Sequence, residues 1–171
     1  YDISDKFIKH YNKQQVNIYK TYQLYRNDSL NVLKHDMFCE RDYFLGFKLV
    51  RGAYYNEDKK HNILFDSIDE THDNYNNGID LFFNHSKQQD KLLCATHNED
   101  SVLHAIELLK IHKTKQVHFA QLMGMSDKLS KQISNEHHVF KYVPYGDFQD
   151  TLPYLIRRLY ENYPMLLNIF K

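Results

Sequence analysis

Residues 48–55 read KLVRGAYY: a short apolar run ends in Arg51-Gly52, with aromatic rings directly behind. Glycine lets a backbone approach a ligand closely, and arginine offers a fixed fork of donors to a phosphate or an electron-rich ring. The segment suits an anionic, flat ligand. Lys48 sits inside the apolar run, where a charge is costly unless paired or functional, although its stem can also snorkel to water. Thr96-His97-Asn98 closes a second apolar run, LLCATHNED (92–100). Thr and His can bond a ligand oxygen or ring nitrogen, while Asn98 has a sufficient structural job as a helix cap. Gln121 ends a third run in VHFAQLMGMSD (117–127), with Leu122 and Met123 able to form an apolar wall. Tyr142 precedes Pro144 and Gly146 in FKYVPYG (140–146), and Arg157-Arg158 follow. Adjacent helical residues diverge by about 100°, so this pair can be a solvated couple beside Glu161. Alternatively, two guanidinium groups approach one carboxylate from different sides.

The elements that must position these groups alternate strand and helix about five times. Residues 14–25 read as a strand followed by polar groups, and 26–44 as a helix with Leu30, Leu33, Met37 and Phe44 as its stripe. Gly46 to Val50 is a strand. Residues 56–86 are an interrupted helix whose core set is Ile63, Leu64, Ile68, Tyr75, Ile79, Phe82 and Phe83. Leu92 to Ala95 is a strand, and Asn98 caps a helix carrying Val102, Leu103, Ile106, Leu109 and Ile111. Val117 to Ala120 is a strand, Ser126 or Asp127 caps the next helix, and Val139 to Val143 is a strand. A last helix starts near Thr151 with Pro153 in its first turn. The strands are short and nearly continuously apolar, which predicts a parallel sheet covered on both faces. A (βα)8 barrel and a doubly wound open sheet both fit, and both build sites at strand C-termini. Five strands cannot close an eight-stranded barrel, so the barrel reading leaves about three βα units missing on the N-terminal side.

The bulk numbers narrow the function classes. With 171 residues, the chain holds one domain and one sizeable core. Lys+Arg and Asp+Glu are 22 each, which gives no bulk attraction to nucleic acid or a membrane surface. No run of 18 apolar residues encodes a spanning helix. Two cysteines far apart, Cys39 and Cys94, point to a reducing compartment rather than a disulfide framework. The 11 histidines are scattered without metal-ligand spacing, so no metal site is expected. No GxGxxG supports a Rossmann-type site. Fourteen tyrosines and no Trp fit either a compositional bias or a stacking surface for a flat cofactor. The chain begins with Tyr and carries no signal or transit segment, so it reads as a fragment or a processed form.

Taken in order, KLVRGAY, ATHNEDSV, FAQLMGM and KYVPYG…LPYLIRRLYEN closely resemble the proline dehydrogenase (proline oxidase) family, of the monofunctional eukaryotic type. The resemblance covers residues 14–163. The eukaryotic branch resembles it best, since KLVRGAY stands where bacterial members commonly have RLVKGAY, a swap that keeps one positive charge at positions 48 and 51.

The resemblance implies the C-terminal part, about five βα units, of a distorted (βα)8 TIM-like barrel holding non-covalent FAD at the strand C-termini. It implies oxidation of L-proline to Δ1-pyrroline-5-carboxylate by hydride transfer to the flavin, the first step of proline catabolism. Quinone is the implied electron acceptor, at the matrix side of the mitochondrial inner membrane. By motif, Gln23, Arg51, Gly52, Ala53, Tyr55, Thr96, His97 and Gln121 contact FAD. Lys48 is the flavin-proximal base-bearing residue. Arg157 and Arg158 pair with the proline carboxylate, Tyr142 packs over the substrate ring, Leu122 adds an apolar wall, and Glu161 orients the arginines. Tyr142 leans towards proline over hydroxyproline. The family's substrate-site Lys and Asp from early strands have no counterpart here, so these 171 residues alone are expected to be inactive. The competing reading is a non-catalytic barrel remnant that binds flavin or an amino acid. An aldolase-like phosphate barrel is disfavoured because Gly146 is the sole glycine offered by the last loop.

Overall fold

The computed structural model describes residues 2–52 and 58–161, apart from the side chains of residues 2, 158, 159 and 161. The chain divides into two compact units, Tyr1–Lys141 and Tyr142–Lys171. In chain order the first carries α1 (Asp2–Tyr11), β1 (Tyr19–Gln23), α2 (Ser29–Phe38), β2 (Gly46–Val50), α3 (Ile68–His85), β3 (Lys91–Ala95), α4 (Glu99–Ile111), β4 (Gln116–Leu122) and α5 (Asp127–Ile133). The last strand, β5 (Val139–Tyr142), ends where the second unit begins, and α6 (Phe148–Glu161) lies within that unit. No helix among the described residues is long and apolar enough to cross a membrane.

The five strands form one sheet in the order β1-β2-β3-β4-β5. The β1–β2, β2–β3 and β3–β4 pairs are parallel, and their register lines up Thr21, Lys48, Leu93 and His118 in one row. A doubly wound sheet reverses its strand order at a switch point, and this one does not. One core cluster joins Tyr22, Phe47, Leu49, Leu92, Cys94, Val117 and Phe119 of the strands to helix residues including Leu33, Tyr75, Phe82 and Val102. Every one of those strand residues lies on the same face, so the helices of the first unit wind along one side. That is the winding of a (βα)8 barrel, here in five βα units.

The expectation of a sheet covered on both faces is therefore corrected. Burial alternates along β1, β3 and β4. Tyr22, Phe47 and Leu92 are buried under helices, while Thr21 is exposed and Lys48 and Leu93 are half-buried on the other face. Crossovers of one hand deliver each helix to the same side, and the opposite face becomes a barrel interior.

Several boundaries also shift. The expected strand over 14–25 shortens to β1 because buried Asn12 satisfies the backbone before it. Its amide donates to Ile18 O (2.8 Å) and Phe44 O (3.0 Å), and its oxygen accepts from Asn17 N and Ile18 N, both 2.9 Å. Phe44 accordingly lies beyond α2. The described part of the 56–86 stretch carries a 3₁₀ turn at Lys59–His61 and then α3. A capping box starts α3: Glu70 N donates to Ser67 Oγ, and Ser67 N donates to Glu70 Oε2. Ile68, Leu103 and Ile111, assigned to the core from periodicity, are exposed. Asn98 caps α4 as expected, accepting from Ser101 N at 2.8 Å. Ser126 occupies the cap position of α5 but makes no capping bond. The last helix starts at Phe148, so Pro153 falls in its second turn rather than its first.

Two charged clusters brace the fold away from the strand C-termini. Arg41 and Asp90 are fully buried, with Arg41 Nη1 and Nη2 donating to the two carboxylate oxygens at 2.9 and 2.5 Å. Asp90 also accepts from Leu45 N and Lys87 N, each at 2.8 Å, and so pins the entries to β2 and β3. Buried Lys20 bridges Asp5 and Asp36, each at 2.7 Å. Burial opposes its charge, but these carboxylates outweigh that and raise its pKa.

Candidate active site at the strand C-termini

The polar groups singled out in the sequence gather at the C-terminal ends of β1 to β4, and the reason is local. Each strand is long enough for one or two buried residues per face and then breaks into a turn. The first polar residues after the break stand at the sheet's rim.

Arg51, just after β2, is held on four sides. Its Nε donates to His72 Nδ1 (3.0 Å), Nη1 to Thr96 Oγ1 (2.5 Å) and Nη2 to Ser101 Oγ (3.0 Å). Its guanidinium carbon lies over the Tyr75 ring, 4.5 Å from the centre. Burial pushes its pKa down from the usual arginine value. Among the described residues, the partners of Arg51 are dipoles and one ring face, with no carboxylate. A guanidinium in that state favours an electron-rich ligand nearby. His72 and Ser101 went unnoticed in the sequence, and Tyr75 was read only as a core residue. The i, i+3 spacing of His72 and Tyr75 on one helix face was the available signal.

Gly52 has φ of +152°, and a Cβ there would lie 1.8 Å from Tyr25 Cε1. Tyr25 is itself clamped through its hydroxyl to Asp58. Glycine is therefore required by the packed ring as well as by the backbone angle. Ala53 and Tyr55, the next expected contacts, lie outside the described residues.

Thr96 is buried and used twice, accepting from Arg51 and from Asn98 N (3.1 Å). His97 is half-buried. Leu122 N–H donates to its Nε2 across a long 3.5 Å, so that nitrogen is unprotonated and Nδ1 carries the hydrogen. Burial, and then the charge of Lys141, hold the His97 pKa below the ordinary value. Gln121 is buried; its Oε1 accepts from Ser130 Oγ and from Lys141 Nζ (3.4 Å). Lys141 also donates to Met125 O (2.7 Å) and Asp127 Oδ1 (2.8 Å).

Among the described residues, four buried side-chain polar atoms lack a hydrogen-bond partner. Three of them are Gln23 Oε1, His97 Nδ1 and Gln121 Nε2. They stand at the tips of β1, β3 and β4. A buried polar atom without a partner costs about 1–3 kcal/mol. Gln23 alternates onto the uncovered face with Thr21, whereas Gln121 alternates onto the helix-covered face with Phe119 and bonds Ser130 of α5. Ala95 and Ala120 pair side by side, and their small side chains leave room on the uncovered face for a flat group. Lys48 is half-buried on that face and makes no hydrogen bond or ion pair with another described residue. Leu122 is half-buried beside this rim, whereas Met123 is 64 % exposed and forms no wall.

Within the second unit, Tyr142 is 54 % exposed. Its ring lies 6.3 Å from that of Tyr154, and the Arg157 guanidinium sits over Tyr154 at 5.9 Å. Tyr154, which the sequence reading passed over, thus links the two residues assigned to substrate. The i, i+3 spacing of Tyr154 and Arg157 carries that contact. Arg158 and Glu161 are on the same helix, and their side chains lie outside the described set.

Comparison with known proteins gives the family and the fold. The profile of the family described as proline dehydrogenase matches residues 1–166. The chain is 37 % identical over 171 residues to proline dehydrogenase 1, mitochondrial, of Dictyostelium discoideum, an alignment covering 89 % of this chain and 30 % of that protein. It is 37 % identical over 177 residues to hydroxyproline dehydrogenase of Xenopus laevis, covering 94 % and 38 %. Among solved structures, a bifunctional proline utilization A (PutA) protein superposes with a TM-score of 0.71 at 25 % identity, over 83 % of this chain and 16 % of that one. The PutA of Bdellovibrio bacteriovorus inactivated by N-propargylglycine shares the fold, with a TM-score of 0.75 at 21 % identity, over 83 % and 16 %. The chain spans about a third of the length of these curated relatives.

Proposed function

On the premise that the chain belongs to the proline dehydrogenase family, we propose that its protein oxidises L-proline to Δ1-pyrroline-5-carboxylate with FAD as the bound cofactor. The carrying observation is Gln23 Oε1 and His97 Nδ1, two buried polar atoms without partners at the strand tips, beside the small paired residues Ala95 and Ala120 on the uncovered face. One donor and one acceptor suit a flavin ring edge, which presents several acceptors and one N–H.

FAD, when bound, supplies the acceptor for the hydride that leaves the proline carbon next to nitrogen. The protein's share is binding and alignment, which is most of what such a transfer asks of it. Gln23, His97, Gln121 and Arg51 hold and orient the ring. Gly52 admits it to the backbone, with Ala53 and Tyr55 in the same loop. Thr96 keeps Arg51 in place. Lys48 offers positive charge where negative charge accumulates. Arg157 and Arg158 bind the substrate carboxylate, Tyr142 covers the substrate ring with Leu122 as an apolar neighbour, and Glu161 orients the arginines.

The uncovered sheet face supports a further part of the proposal: about three more βα units close the barrel over it. The mitochondrial relatives support the same compartment for this protein. Quinone at the inner membrane as electron acceptor is the remaining part of the proposal, carried by the family resemblance. The Xenopus relative favours one second reading, hydroxyproline as substrate. The test is purification of the full-length protein, a visible absorbance scan, and steady-state assay with both amino acids. A colourless preparation that FAD does not restore overturns the proposal; flavin bleaching by hydroxyproline alone moves it to the second reading.

A further inference from the structure

We propose that Tyr25 is a positioning residue: it fixes the main chain of the Arg51-Gly52 tip, and Asp58 fixes its ring in turn. The inference rests on the flavin reading of that tip.

The connection from β2 to α3 leaves the sheet at Arg51 and Gly52, and its described part resumes at Asp58. Both places meet on one residue just beyond β1. Tyr25 N donates to Arg51 O at 2.8 Å, next to the bond from Leu24 N to Val50 O, also 2.8 Å. The Tyr25 ring fills the space that a Cβ at position 52 would need, with Cε1 1.8 Å and Cδ1 1.9 Å from that point. Its hydroxyl donates to Asp58 Oδ2. Further on, Phe65 N donates to Tyr25 O (3.3 Å), Asn27 N donates to Ile63 O (2.9 Å), and Arg26 bridges Leu64 in antiparallel fashion. Residues 25–27 therefore carry both the departing and the returning chain.

Packing alone leaves a ring some freedom to tilt. A phenol bonded to a carboxylate has less, because a charge-assisted O–H···O bond is roughly twice as strong as a neutral one. Tyr25 is 7 % exposed, so water competes little for that bond. Asp58 is held as well: Arg26 Nη1 lies 3.7 Å from its Oδ1, and Arg26 is itself forked onto Asp28 at 3.0 and 2.9 Å. The chain of control runs from Asp58 through the Tyr25 ring to Gly52, whose main chain is exposed and has φ of +152°. His72, Thr96, Ser101 and Tyr75 already hold the Arg51 side chain. Tyr25 does the same for the backbone beside it. A tip ordered in advance spares the ligand the cost of ordering it.

The test compares wild type, Tyr25→Phe, Asp58→Ala, Asp58→Asn and the Tyr25→Phe/Asp58→Ala double variant in the full-length protein. The readouts are FAD dissociation, followed by flavin fluorescence well below the unfolding temperature, and the KM for proline at saturating FAD. Tyr25→Phe keeps the ring against Gly52 and removes only the hydroxyl. It is expected to weaken FAD about tenfold, with the KM for proline at the wild-type value. Asp58→Asn keeps an acceptor for the hydroxyl and is expected to lose less than Asp58→Ala. The double variant is expected to be little worse than either single one, because the two residues act as one unit. Should Tyr25→Phe fail to fold, Asp58→Ala takes its place with the same expectation. Wild-type FAD affinity in the variant without the hydroxyl–carboxylate bond, or a rise in KM with FAD affinity unchanged, overturns the role of Tyr25 and leaves the flavin reading intact. A wild-type protein that binds no flavin overturns that reading itself, and this inference with it.

Discussion

The Arg51 guanidinium lies over the Tyr75 ring, 4.5 Å from its centre, and this contact joins the tip of β2 to the middle of α3. Through Thr96 and Ser101, Arg51 also staples this βα unit to the next. A residue expected only to touch a ligand is therefore also part of the scaffold. Arg51→Met should lower stability by about 2–3 kcal/mol through the loss of charged hydrogen bonds and the ring contact. Arg51→Lys should recover less than half of it, because a point charge cannot fork to several acceptors. Denaturant midpoints of the protein without FAD measure both; an unchanged midpoint in Arg51→Met contradicts the stapling role.

Gly52→Ala should be disruptive, since the new Cβ meets the Tyr25 ring at 1.8 Å. The cost should reach about 1–3 kcal/mol from the backbone angle alone, with the ring clash added. Removing the ring in a Gly52→Ala/Tyr25→Ala double variant should relieve the clash but not the angle. Strict additivity of the two substitutions in stability measurements would contradict the packed contact.

Removing one member of the Arg41–Asp90 pair should cost about 3–5 kcal/mol, because the other stays buried and unpaired. Asp90→Ala additionally frees two backbone N–H groups, of Leu45 and Lys87. Thermal unfolding of the two single variants checks this, and Asp90→Ala should be at least as severe as Arg41→Ala.

Acid should weaken the fold through its half-buried histidines. His72, His97 and His118 all have pKa values lowered, in each case first by burial. The unfolded chain then binds more protons than the native state as pH falls through about 6.5. Their contribution is fully present above that value and is lost between it and the depressed native pKa values. Stability measured at stepwise lower pH should fall across this window, and His97→Gln should flatten part of the slope.

Arg157→Met should raise the KM for proline by on the order of 10²-fold, as a charged hydrogen bond is lost and the carboxylate is left underpaired. Tyr154→Leu, which removes the ring under Arg157, should produce a smaller rise in the same direction. Steady-state kinetics in the full-length protein decide it, and an unchanged KM in Arg157→Met removes the arginine from the substrate site.

Strand positions were largely readable from the chain because an apolar run of four or five residues bounded by polar ones leaves little freedom: β2 was predicted without error, and β3 and β4 to within a few residues. Errors fell where a single side chain rewired the backbone. Asn12 shortened β1, and the Ser67–Glu70 box set the start of α3. Helix periodicity placed Leu103 and Ile111 inside because 3.6-residue spacing reports a stripe but not its width.

Residue types and their order were enough to specify alternating βα units, a rim of polar residues at strand ends and the family that carries them, because burial and turn chemistry act over a few neighbours at a time. Only the tertiary structure decided that the helices of the first unit lie on one face, that Arg51 is claimed by His72, Thr96, Ser101 and Tyr75, and that Gln23, His97 and Gln121 keep unpartnered atoms at the strand tips. Those outcomes depend on which groups from distant segments compete for the same hydrogen bonds, and such competition is settled only when the strands are side by side.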